Sequence, residues 1–390
     1  MNRPWRPSRK AEALEPFIAM DVMERAHRME AEGADIVHLE VGEPDFDTPA
    51  CVVEAAIEAL REGRTHYTDS LGIPPLREAV AEETRARTGV DVDPSRVVIA
   101  SGSSPAMLLL FAAILEPGDE VILPDPHYAC YPNFIRFFGG VPVPVRLAEE
   151  DGFQIDPDAV RARITSRTRA ILINSPANPT GTVLAAERVR AIAGLGPPII
   201  SDEVYHGLVY EGQAHSALEF SDNALVVDGF SKLYAMTGWR LGYVIVPPDT
   251  VRTIQKLQQN FFISANSFVQ WAGVAALRQA GPDVARMREI YARRRPLLIE
   301  GLRRLGFGIA VPPTGAFYVF ANARHLDPDS NRLAFEILDR ARVGVTPGVD
   351  FGAGGEGYLR FSYAASEARI CEGLSRLESF LRGRRDSPPP

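Results

Sequence analysis

The sequence predicts an α/β protein built from two domains. Its 390 residues are too many for one small core. From about residue 50 to 245, helical patterns alternate with short β-rich runs, the signature of a sheet with crossover helices. Several of those runs are apolar throughout rather than alternating, as expected of strands covered on both faces.

The elements follow in chain order. Residues 1–15 are basic and proline-broken with no apolar stretch behind them, so they read as a flexible arm rather than a secretory signal. Residues 16–48 are expected to fold back onto the smaller domain. A large domain over 49–283 contains a helix opened by Pro74-Pro75, where a missing N–H costs nothing. Its β-type runs are Val97–Ala100, Val121–Leu123, Val141–Val145, Ala170–Ile173, Pro198–Ile200, Leu225–Val227 and Leu241–Val246. Prolines within 141–145 confine that run to an edge. An arginine-rich helix over 284–305, with Met287, Ile290, Leu297, Leu298 and Leu302 at helical spacing, leads into a smaller α+β domain ending at 382. A final helix is expected near 366–381, and residues 383–390 form a disordered tail.

Composition narrows the function. At 46% apolar and 24% charged the chain is an ordinary globular protein, and a net charge of −8 argues against a nucleic-acid binder. The apolar segment Ala106–Leu115 is far shorter than the roughly 20 residues of a membrane span, so no membrane partner is expected. Cys51, Cys130 and Cys371 lack paired or metal-type spacing, which points to buried thiols in a reduced, cytoplasmic setting with no metal.

Most of the candidate polar residues directly follow apolar runs. Ser101-Gly-Ser-Ser follows Val97–Ala100, Asn174 to Asn178 follows Ile171–Ile173, Asp202 follows Ile199-Ile200, and Lys232 follows Leu225–Val227. Open α/β sheets bind ligands beyond the carboxyl ends of their strands, so these groups are expected to converge on one cleft. Ser103 and Ser104 at a helix start suit a phosphate, although on local grounds alone an ordinary serine cap is the stronger reading. Arg240 offers bidentate countercharge to that phosphate, or is a solvated arginine at a strand start. Asp202 among apolar neighbours needs a cationic partner such as a pyridinium N–H, unless it caps the next helix. Asn178 and Tyr205 can donate to a phenolate oxygen, and Tyr128 can stack on a ring; a turn asparagine and packing tyrosines are the plainer readings. Arg360, flanked by apolar residues on a strand, can face the cleft and clamp a carboxylate. A lysine amine, a buried carboxylate and two separate arginines are the parts that pyridoxal 5'-phosphate chemistry uses. Gly352-Ala-Gly-Gly-Glu-Gly matches a dinucleotide pattern, but a strand-like run follows it instead of a helix, which rejects that reading.

At these residues the chain resembles the class I aminotransferases of pyridoxal-phosphate fold type I, especially the bacterial and archaeal aspartate- and alanine-type enzymes. The likeness runs from about Pro16 to Leu381. It rests on Val41-Gly-Glu-Pro-Asp-Phe, Tyr67 before Gly72-Ile-Pro, the Asn-x-Pro-x-Asn-Pro-Thr-Gly run at 174–181 and Ser201-Asp-Glu-Val-Tyr. It continues through Ser231-Lys with Thr237-Gly-Trp-Arg-Leu-Gly-Tyr, Gly315-Ala-Phe-Tyr and Arg360-Phe-Ser-Tyr. The resemblance implies a large domain with a mostly parallel seven-stranded sheet and a smaller α+β domain from the chain's two ends. It implies that Lys232 forms a Schiff base with the cofactor, that Asp202 pairs with the pyridine nitrogen, and that Asn178 and Tyr205 face the phenolate oxygen. Tyr128 would stack on the ring, and Ser103, Ser104 and Arg240 would hold the phosphate. Arg360, Asn178 and the Gly42 backbone would hold the substrate carboxylate. A homodimer with shared sites is implied, Tyr67 reaching the partner's cofactor phosphate.

The expected reaction moves an amino group between an L-amino acid and a 2-oxo acid. A lyase or synthase on the same scaffold is the rival, since the cofactor residues serve both. A ligand-sensing regulator would need a DNA-binding module, for which the short arm leaves no room. Two positions depart from relatives: Gly229 replaces a phosphate-binding serine, and Ser104 replaces a lysine that some acid-specific enzymes use for a distal carboxylate.

Overall fold

The computed structural model describes residues 6–385. Its largest sheet has seven strands in the spatial order 97–100, 242–245, 225–229, 199–202, 168–174, 120–125 and 141–146. The strand Gly242–Ile245 runs antiparallel to both neighbours, and all the other pairings are parallel. The proline-bearing strand Val141–Arg146 sits at one edge, where its missing N–H groups break no ladder.

Period-two alternation places successive strand residues in two separate cores. Val98, Val121, Leu123, Ala170, Leu172, Ile200, Leu225, Val227 and Val244 share one apolar cluster with Leu109, Leu110 and Phe111 of the helix Ser103–Ile114. Val97, Ile99, Ile122, Ile171, Ile173, Ile199, Val226 and Ile245 point into the other. Both faces of the sheet are therefore dry, which is why these strands read as continuous apolar runs. Truncating one such side chain, Leu110→Ala, is expected to cost about 2–5 kcal/mol.

The chain's two ends meet in a smaller layer. Tyr318–Asn322, Tyr358–Ser362 and Thr346–Pro347 form an antiparallel three-stranded sheet. Val37–His38 pairs in parallel with Val343–Gly344, and the Ser362 N–H bonds the Leu39 carbonyl at 2.7 Å. The helix Ile18–Ala31 buries Val22 and Ala26 against Ile36 and Leu338. The helix Gly281–Arg304 starts slightly before the expected 284 and continues through Pro296.

Of the segment expected to be an arm, Arg9–Glu12 makes one helical turn, and Glu15 N–H donates to Asn133 at 3.1 Å; residues 1–5 lie outside the described residues. The final helix extends from Glu367 to Arg385, and the rest of the expected tail, 386–390, also lies outside them. Among the described residues no helix is long and apolar enough to cross a membrane.

Candidate active site

A cavity of about 490 Å³ opens between the large sheet and the smaller layer. Its floor is made by strand ends. Asp202 closes Ile199–Asp202, Asn174 closes Thr168–Asn174, and Ser231-Lys232 follow Leu225–Gly229. Its roof comes from far away in sequence: Phe17, Met20 and Met23 at the N-terminal side, Glu40 to Glu43, and Tyr318 and Arg360 from the antiparallel sheet.

Asp202 is buried. Its carboxylate accepts from Tyr131 Oη at 2.6 Å and from the Val204 N–H at 3.2 Å, and Asn174 Nδ2 donates to its carbonyl at 2.9 Å. Burial pushes its pKa up to about 6, against the pull of the two hydrogen bonds. Lys232 is partly buried and donates from Nζ to the Gly42 carbonyl at 2.6 Å. Burial lowers its ammonium to about 8, so near neutrality an appreciable fraction is the free, nucleophilic amine.

Arg360 is buried, with Nη1 donating to Asn178 Oδ1 at 2.9 Å and Nη2 to the Glu40 carbonyl at 2.5 Å and Thr346 Oγ1 at 3.1 Å. Its Nε has no hydrogen-bond partner among the described residues, and its guanidinium lies 4.4 Å from the Tyr318 ring centre. Asn178 is fixed by its N–H donating to Asn174 Oδ1 at 2.8 Å. The Tyr205 and Tyr318 hydroxyls are 2.7 Å apart, and burial raises both phenols above their usual range, so both are neutral donors.

At the opposite end, Gly102 adopts φ 112° as the cap of the helix Ser103–Ile114, which puts Ser103 and Ser104 in its first turn rather than at the cap. A Cβ at Gly102 would lie 2.6 Å from an Arg240 nitrogen, so glycine is what lets that guanidinium close over the helix start. Arg240 itself holds a left-handed backbone at φ 55°, a costly conformation for a non-glycine residue that marks a constrained position. A Cβ at Gly42 would meet Tyr318 Oη at 2.3 Å, and one at Gly229 would sit 3.3 Å from the Gly242 Cα and the Leu241 carbonyl. A serine at position 229 would thus press on the neighbouring strand.

Ten of the eleven expected residues line the one cavity: Gly42, Ser103, Ser104, Tyr128, Asn178, Asp202, Tyr205, Lys232, Arg240 and Arg360. Tyr67 does not, and is 81% exposed. The sequence reading missed Tyr131 and Tyr318, whose hydroxyls hold Asp202 and Tyr205, and missed the Glu40 carbonyl that anchors Arg360. The available signals were Tyr131, three positions after Tyr128, and the Gly315-Ala-Phe-Tyr run that contains Tyr318. The residues present fit pyridoxal phosphate: a buried carboxylate without a cation, a desolvated lysine, and an arginine with hydroxyls at a helix N-terminus.

Comparison with known proteins gives the same answer. Residues 34–377 match the family model for class I and II aminotransferases. The chain is 42% identical to the aspartate/prephenate aminotransferase of Thermus thermophilus, covering 96% of this chain and 98% of that one. It is 41% identical to the (5-formylfuran-3-yl)methyl phosphate transaminase of Methanocaldococcus jannaschii, over 94% and 97% of the two chains. The Thermus thermophilus aspartate aminotransferase structure with maleate superposes with a TM-score of 0.93 at 41% identity, covering 96% and 99%. These relatives are transaminases, which decides against the lyase or synthase alternative. The chain belongs to the class I and II aminotransferases, and it is a pyridoxal-phosphate-dependent transaminase of fold type I.

Proposed function

We propose that this aminotransferase works as a cytoplasmic homodimer, with Lys232 as the residue that holds the cofactor and moves the substrate proton. The observation that carries this reading is the convergence of Lys232, Asp202 and Arg360 on one cavity. When bound, the cofactor supplies an electron sink for the carbon that loses its proton. Asp202 would pair with the ring nitrogen and keep that sink charged. Asn178 and Tyr205 would donate to the phenolate oxygen, and Tyr128 would pack on the ring. Ser103, Ser104 and Arg240 would take the phosphate, together with Tyr67 of the partner subunit. Arg360, Asn178 and the Gly42 backbone grip the substrate carboxylate, and the Arg360 Nε without a protein partner is a donor free for that purpose. The Lys232 amine, near its neutral point, would accept the α-proton at Nζ and hold it for return.

The dimer reading is supported by an apolar patch around Tyr67. Tyr67 (81% exposed), Phe261 (59%) and Ile263 (47%) are large hydrophobics on the surface, and the Thr68 N–H to Ser264 Oγ contact at 3.4 Å joins the two segments that carry them. A dimer across that patch would bring Tyr67 to a neighbouring site; sedimentation as a monomer at micromolar concentration would contradict it.

For the substrate, Phe17, Met20 and Met23 give the cavity an apolar side, and the cations among the described lining residues are Lys232, Arg240 and Arg360, all with other work. Amino acids with apolar or aromatic side chains are therefore the preferred donors. Aspartate is the second reading, favoured by the name of the Thermus thermophilus relative. The test is a screen of donors against pyruvate, 2-oxoglutarate and oxaloacetate with the reconstituted enzyme. Release of 2-oxo acid that depends on an acceptor supports transamination, and acceptor-independent ammonia release would overturn it.

A further inference from the structure

Outside the active site, one group of side chains has the makings of a metal centre. His27 and Glu30 lie three positions apart on the helix Ile18–Ala31, one turn of the same face, and His38 lies on the strand Val37–His38 beside it. A ligand atom from each comes within 4.8 Å of the other two. His38 Nε2 is 3.1 Å from Glu30 Oε1, and the His27 and His38 ring centres are 5.6 Å apart.

A second observation separates this group from an ordinary surface ion pair. The other ring nitrogen, His38 Nδ1, is 2.6 Å from Glu40 Oε1. The Glu40 side chain is fully buried, and its Oε2 has no hydrogen-bond partner among the described residues. A buried carboxylate on the rear nitrogen of a histidine is how proteins fix the tautomer and aim of a metal-bound imidazole. With Nδ1–H committed to Glu40, the Nε2 lone pair is directed at the space shared by His27 and Glu30.

We propose that His27, Glu30 and His38 bind one divalent transition-metal ion of the zinc class, with Glu40 orienting His38. Two imidazoles and a carboxylate suit zinc, with water completing the coordination, whereas magnesium and calcium prefer oxygen ligands alone. The ion replaces the proton between His38 Nε2 and Glu30, so one proton leaves as the metal enters and the charges balance. The site ties the helix carrying Met20 and Met23 to the strand that runs on into Glu40 and Gly42. The carbonyls of Glu40 and Gly42 hold Arg360 and Lys232. An ion there stiffens the roof of the substrate cavity without touching substrate.

The experiment titrates the cofactor-loaded enzyme with zinc chloride in a non-chelating buffer, followed by calorimetry, and repeats it with cobalt(II) followed by visible absorption. His27→Ala and Glu30→Gln alter exposed side chains, so both variants should melt like the parent chain in the absence of metal. The expected result is one zinc per chain with a Kd in the micromolar range or tighter, weakened about 100-fold in each variant. Cys371→Ser, which removes a thiol elsewhere that is exposed and not buried as the sequence suggests, should leave that binding unchanged. Zinc binding no tighter than millimolar, or equal binding by the two variants and the parent, would overturn the proposal.

Discussion

Asp202 and Glu203 are consecutive, both buried, and belong to charged clusters of opposite kinds. Glu203 Oε1 accepts from Ser201 Oγ, Ser216 Oγ and the Ala217 N–H at 2.8, 2.9 and 3.0 Å, and Oε2 lies 3.3 Å from His206 Nδ1. Nearby, Asp228 is paired with Arg87 at 2.9 Å and accepts from Tyr243 Oη at 3.1 Å. The void beside this cluster is about 10 Å³, room for a water at most. On the other side, none of Asp202, Lys232 and Arg360 has a partner of opposite charge within 4.0 Å among the described residues, and the cavity they share is about 490 Å³. Carboxylates answered locally, Asp228 by the Arg87 guanidinium and Glu203 by three hydrogen bonds against the burial that raises it to about 7, hold a fold together. Charges buried without compensation around a large cavity are matched to something that enters it.

The sharpest way to break this contrast is to remove one charge from each cluster. Lys232→Ala should lower kcat at least about 10⁴-fold, since the covalent attachment and the proton transfer are lost together. The apoprotein should melt at the same temperature or higher, because a desolvated amine is gone. Substantial residual turnover, or a large fall in melting temperature, would place Lys232 in the structural class.

Arg87→Met should do the reverse. Leaving Asp228 buried and unpaired is expected to cost about 3–5 kcal/mol in denaturant unfolding, with kcat of the folded enzyme within about threefold of the parent. Collapse of kcat at unchanged stability would join the two clusters into one site.

Arg360→Lys sharpens the assignment within the open cluster. A lysine keeps the charge but loses the fork held by Asn178 and the Glu40 carbonyl, so kcat/KM should drop by about 1.5–3 kcal/mol, mostly through KM. The cofactor's absorption should stay unchanged. Loss of that absorption would mean that Arg360 serves the cofactor.

The smallest effect is on pH dependence. Burial depresses the Lys232 ammonium to about 8 in the folded chain, so the neutral amine is populated as pH rises through that value. Cofactor uptake by the apoprotein, followed by stopped-flow absorbance, should therefore accelerate between about pH 7 and 9 and then level off. Acceleration only near the ordinary lysine value of 10.5 would show that burial does not tune this amine. By the same sign, the stability penalty of the buried ammonium is fully present below 8 and is relieved as pH rises towards 10.5.

The cofactor side of the cavity was legible in the sequence because its residues are local. Asp202 and Lys232 follow apolar runs, and an α/β sheet delivers strand ends to one cleft. The substrate side was less so. Arg360 is held by the Glu40 carbonyl 320 positions away, and Tyr318 packs against Gly42, contacts that no periodicity encodes. The motif around Gly315-Ala-Phe-Tyr was visible, yet its chemical use was not, since a tyrosine acquires a role only from what its hydroxyl reaches. The serines at 103 and 104 show a finer limit: composition located the helix start, but the cap is Gly102 because the chain turns there through a positive φ.

The most direct measurement uses the chain's scarcity of lysine. Lys10, Lys232 and Lys256 are its three lysines. Borohydride reduction of the cofactor-loaded enzyme, followed by digestion and tandem mass spectrometry, should find the cofactor's mass on the peptide containing Lys232 and on neither of the others. An adduct confined to Lys10 or Lys256, or no adduct in a chain that still transaminates, would contradict the account.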